Sequence, residues 1–160
     1  EENLWQASEE GRLPVLCDTS PCTARMQEQF EKELKIYEPV GFIREFLLPL
    51  MEPVAQLDSI ALHVTCSARK MGLEEDFIAV AKACAKTVFL PEDAGCCGFA
   101  GDRGFTHPEL NASALKELKP AVSPKCTAGY STSRTCEIGL SLHSGLHYKS
   151  IVYLVDKCTS

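Results

Sequence analysis

The chain has 160 residues, 45% of them hydrophobic and 24% charged, with a formal net charge of −6. That is the length and composition of one globular domain with a core of its own. No Lys/Arg-rich run is present, which argues against nucleic acid as a partner, and the longest apolar stretch, FIREFLLPLM, is broken by charge and proline, which argues against a membrane span.

In chain order, LPVLCD (13–18) is an apolar run ending in turn chemistry and reads as a buried strand. TARMQEQFEKELKIY (23–37) spaces Met26, Phe30 and Leu34 for a helix face, with Thr19 or Ser20 as its cap. GFIREFLLPLM (41–51) predicts a second helix, stopped near Pro49 or Pro53. SIALHVTC (59–66) alternates and predicts a strand ending at Cys66. LEEDFIAVAKACA (73–85) predicts a helix with Phe77, Val80, Ala81 and Cys84 on one side, and KTVFLP (86–91) the next strand. A glycine-rich loop follows, then a helix opening at HPELNASALKEL with Pro108 in its first turn. KCTAGYS (125–131) predicts a short strand and SRTCEIGLSLHSG (133–145) a helix capped within 131–133. SIVYLVDKC (150–158) fits helix or strand equally. Strands alternating with helices predict an α/β fold with a mainly parallel sheet and flanking helices, in which ligands sit at the carboxyl ends of the strands.

Nine cysteines are many, and an odd number cannot all pair within the chain. No secretory signal is read, so the expected compartment is the cytoplasm, at most peripheral to the inner membrane; thiols there serve as metal ligands, as catalysts or as buried apolar groups. Cys66 is followed after 29 residues by the adjacent pair Cys96–Cys97, and after 38 more by Cys136. Four thiolates on one rim satisfy an iron–sulfur cluster or a tetrahedral zinc. Gly95, Gly98 and Gly101 allow the backbone to approach such a group and donate N–H to sulfur. Arg103 and His107 stand in the same loop as candidates to tune the site. Cys84 reads as core, Cys17 and Cys158 as structural, and His63 either as a packed side chain or as a support to the site. An internal repeat accompanies these residues: TSPC (19–22) and SRTC (133–136) each place a hydroxyl three residues before a cysteine, and each opens a helix.

GCCGFAG, preceded by HVTCS and followed by an S-x-x-C element before a helix, resembles the cysteine-rich CCG domain, which occurs mostly in tandem in heterodisulfide reductases and in the iron–sulfur component of glycolate oxidase. DAGCCGFAGDRGFTHPELNASAL and GYSTSRTCEIGLS are similar to the C-terminal part of FAD-linked D-lactate dehydrogenases. The resemblance implies that residues 1–58 are the tail of a first repeat and 59–160 a complete second one. It implies a 4Fe-4S type cluster on Cys66, Cys96, Cys97 and Cys136, with zinc as the alternative. It also implies FAD held by another domain of the same polypeptide, and a quinone or cytochrome as electron acceptor. One position departs from the pattern: Ser133 stands where the family's C-x-x-C element has its first cysteine. A dithiol chemistry of the adjacent pair ranks last, because neighbouring cysteines close only a strained ring. No dinucleotide fingerprint for FAD is present.

Overall fold

The computed structural model describes residues 1–52, 56–91 and 95–160. The N-terminal part contains α1 (Glu2–Ala7), β1 (Val15–Leu16), α2 (Ser20–Gln29), β2 (Ile36–Tyr37) and α3 (Pro39–Phe42). The α3 helix continues through a wider turn at Ile43–Leu47 and a tighter one at Leu48–Leu50. Pro49 lies in that last turn; Pro53, the other expected stop, lies outside the described residues. β1 and β2 pair in parallel, with Val15 opposite Ile36.

The larger part carries β3 (Leu57–Leu62), α4 (Cys66–Lys70), α5 (Glu74–Cys84) and β4 (Ala85–Phe89). After the glycine loop come α6 (Arg103–Thr106), α7 (Pro108–Ala114), α8 (Leu118–Val122), β5 (Ala128–Ser131), α9 (Arg134–Ser144), β6 (Tyr148–Ser150) and α10 (Val152–Thr159). Its four strands are all parallel, in the order β4-β3-β5-β6. The α/β class with parallel strands and flanking helices is the one read from the alternation of elements.

Both faces of this sheet are covered, as parallel strands require. Alternation along β3 and just past it sends Ile60, Leu62 and Val64 into one core with Phe77, Val80 and Ala81 of α5 and Ile151 and Leu154 at α10. Ala61 faces the other core, with Leu118 and Val122 of α8, Leu140 of α9 and Tyr148. A fully buried Phe77 contributes about 1.5–3 kcal/mol by leaving water. Cys84 is in the core as expected, but it is bonded there to Cys158, joining α5 to α10 with Cα atoms 5.4 Å apart. That pairing is not visible in the thiol count.

Several boundaries move. The helix expected over 23–37 ends at Gln29, because Ile36 and Tyr37 are drawn into a strand beside β1. Cys66 does not end a strand; Thr65 Oγ1 accepts the amide of Ala68, 3.3 Å away, and thereby starts a helix at Cys66. The helix expected from His107 to Leu118 breaks at Leu115–Glu117 into α7 and α8. The segment 150–158, which fitted helix or strand equally, is helical as α10; a strand the sequence did not suggest, β6, ends at its first residue, Ser150.

Candidate functional site

The strand order determines where a site forms. From β3 the chain moves outward to β4, then returns to the other side of β3 for β5 and β6. Connections from β3 and β5 therefore leave in opposite directions, opening a crevice at their carboxyl ends. The segment after β3 carries Cys66, the segment after β5 carries Ser133 and Cys136, and the loop after β4 carries Cys96 and Cys97.

All four cysteines line one depression of about 360 Å³, together with Ser133, Thr135, Ala100 and Gly101. Cys66 and Cys96 are exposed, while Cys97 and Cys136 are buried. The sulfurs of Cys97 and Cys136 are in hydrogen-bonding contact at 2.9 Å. The bond from Cys136 stabilises the Cys97 thiolate and holds that thiol down to about 7; burial opposes this, and the amides of Phe99 and of Cys97 itself assist. Cys136 is pushed up, first by sharing its proton with Cys97, then by burial. Among the described residues, no three His, Cys, Asp or Glu side chains stand close enough together to enclose an ion. The four thiols thus share a pocket, with one pair already in contact.

Two helices open at this pocket, α4 at Cys66 and α9 at Arg134, two residues before Cys136. Their N-terminal amides favour negative charge nearby. Arg25 and Lys70 stand on its rim, from α2 and α4. Arg25 lies 3.6 Å from the carboxylate of Glu28, which lines the same pocket, so its charge is partly offset there.

The glycine loop is shaped by close approach. Gly98 has φ +70°, and a Cβ there would stand 2.7 Å from the Leu110 carbonyl oxygen and 2.8 Å from the Ala114 Cβ. Asn111, buried on α7, donates its side-chain amide to the Cys97 carbonyl. Gly139 on α9 leaves the space in which Asn111 and the ring of Phe99 meet. Ala100 also has positive φ, at 48°, an uncommon conformation for a residue with a Cβ, and it lines the pocket.

Of the glycines named from sequence, Gly101 reaches the pocket, Gly98 fixes the loop onto α7, and Gly95 is in open space. Arg103 and His107 are elsewhere, on a separate depression of about 530 Å³ with Thr106, Glu109 and Leu110, where His107 Nδ1 lies 3.3 Å from Glu109 Oε1. Asn111, Gly139, Arg25 and Lys70 carry no signal of a site in the sequence. The first two become legible only when α7 and α9 are seen to meet at the loop, the last two when α2 and α4 are seen to wall the pocket.

Four thiols suit a soft metal or an iron–sulfur cluster, and two helix N-termini face them; the same lining also carries the Glu28 carboxylate. Among the described residues no helix is long and apolar enough to cross a membrane. Comparison with known protein families, characterised proteins and solved structures returns no match.

Proposed function

We propose that the cysteine pocket holds an iron–sulfur cluster and that the chain is the electron-transfer region of a flavin-linked 2-hydroxy acid oxidoreductase of the D-lactate dehydrogenase type. The observation that carries the metal reading is the convergence of Cys66, Cys96, Cys97 and Cys136, from three separated segments, on one pocket at the switch point of a parallel sheet. The flavin, its domain and a quinone or cytochrome acceptor rest on the CCG resemblance alone.

A bound cluster would supply one-electron chemistry between flavin and acceptor. The residues of this chain bind, orient and shield it. Cys97 and Cys136 present a pair in contact, and Cys66 and Cys96 would have to close in from the exposed side to complete the donor set. Gly98 and Asn111 fix the loop so that the Cys97 sulfur faces the pocket wall, and Phe99, buried beside Cys97, excludes water from that side. Lys70 on the rim would offset the negative charge of the thiolates, while Arg25 is shared with Glu28.

Anaerobic iron, acid-labile sulfide and zinc analysis of the purified chain tests this. Iron and sulfide in near-equal amounts, with brown visible absorption, support the cluster. A colourless protein with one zinc per chain supports the structural-zinc alternative, and failure to bind either metal after reconstitution removes both.

A further inference from the structure

We infer that Glu38, Ser20 and Thr132 form a buried clasp that holds α2 as a wall of the cysteine pocket, making them positioning residues for that site. The inference rests on the pocket being the functional site, but not on which metal occupies it.

Four residues of α2, Pro21, Ala24, Arg25 and Glu28, line the pocket beside the cysteines. They belong to the N-terminal part, which forms its own two-stranded sheet and pairs with none of the four strands behind the site. Among the described residues, one hydrogen bond joins residues 1–52 to the rest: Ser20 Oγ to Thr132 Oγ1, at 2.7 Å. The remaining attachments are the packing of α2 on α4, apolar packing of Val40 and Ile43 into the core, and a half-exposed Arg44–Asp76 ion pair at 3.6 Å. The α2–α4 packing is non-directional, so the hydrogen bond at Ser20 is what fixes the position of α2 along it.

The direction of the chain of hydrogen bonds follows from chemistry. A carboxylate only accepts, so Ser20 spends its one hydrogen on Glu38 Oε2, 3.0 Å away, and Thr132 must donate to Ser20. Glu38 uses its other oxygen to accept the amides of Val40 at 2.8 Å and Gly41 at 3.2 Å, which fixes the carboxylate at the start of α3. All three side chains are at most 3% exposed. In such surroundings a lost partner leaves a buried polar group unpaired, so each member depends on the others. The clasp reaches from the first residue of α2 to the residue that precedes Ser133 in the turn leading to Cys136. It therefore registers the wall against the ligand turn itself.

Alkylation of the reduced, metal-free chain by iodoacetamide, read cysteine by cysteine by peptide mass spectrometry, tests the clasp without relying on metal. Thr132→Val and Ser20→Ala are expected to raise the rates at the buried thiols Cys97 and Cys136 at least fivefold. Cys126, buried in the same core away from the pocket, should keep its wild-type rate, and Thr132→Ser, which restores the hydroxyl, should behave as wild type. Unchanged rates at Cys97 and Cys136 overturn the inference. So does a rise shared equally by Cys126, which would mean general loosening of the fold, and so does a Thr132→Ser variant as reactive as Thr132→Val.

Discussion

The sulfurs of Cys97 and Cys136 lie 2.9 Å apart, which brings the loop after β4 against the first turn of α9. A disulfide needs about 2.05 Å, so a small approach closes the bond. The adjacent pair Cys96–Cys97 has only a strained ring available. With oxidised glutathione as oxidant, the metal-free chain should therefore join Cys97 to Cys136, each thiol losing its proton while the glutathione disulfide takes up the two electrons. Peptide mapping should find that cross-link in preference to any other involving Cys66 or Cys96. A dominant Cys96–Cys97 link would contradict the geometry.

Gly98 and Gly101 separate two reasons for glycine. Both have positive φ, +70° and +77°, but only Gly98 is crowded by α7. Gly101→Ala should cost the backbone penalty alone, about 1–2 kcal/mol. Gly98→Ala should cost more, because the new Cβ meets the Leu110 carbonyl and the loop must move off α7. Urea unfolding of the two variants measures the difference; equal losses would show that the approach to α7 is relaxed at no cost.

His63 gives a pH dependence whose sign can be worked out. It is 2% exposed, its Nδ1 is 3.1 Å from Ser131 Oγ, and its Nε2 has no partner among the described residues. Burial first, and the charge of Arg69 second, lower its pKa from 6.5 to about 4. Between those values the unfolded chain binds a proton that the folded chain refuses. Stability contributed by neutral His63 is complete above 6.5, falls as pH drops, and stops falling below about 4. The span corresponds to about 3 kcal/mol. His63→Gln should remove that part of the acid slope in unfolding measured from pH 7 to 4. A variant with the wild-type slope would show that His63 accepts its proton in the folded state.

The parallel α/β class was legible because β3, α5 and α9 each carry a clean period: Ile60 and Leu62 against Ala61 on the strand, Phe77, Val80, Ala81 and Cys84 on the α5 helix. β2 was hidden because Met26, Phe30 and Leu34 continue a helical spacing past Gln29, and only pairing with β1, which is non-local, pulls Ile36 out of it. β6 was hidden for the same reason, since Tyr148 is held by its neighbour β5 and not by any local pattern. The four cysteines were legible as a set because thiol chemistry and glycine placement are local signals. Glu38, Ser20 and Thr132 were not, because Ser20 and Thr132 are 112 residues apart and each is ordinary turn chemistry where it stands.

If the pocket cysteines hold the cluster, Cys22 on α2 takes no part in it. Cys22 is exposed and does not line the pocket, although TSPC repeats the pattern of SRTC. The decisive quantity is the iron and sulfide bound per chain after anaerobic reconstitution of wild type, Cys136→Ala and Cys22→Ala. Near wild-type loading is expected for Cys22→Ala, and at least a fivefold loss for Cys136→Ala. Equal loss in both variants, or full loading of Cys136→Ala, would overturn the assignment of the cluster to this pocket.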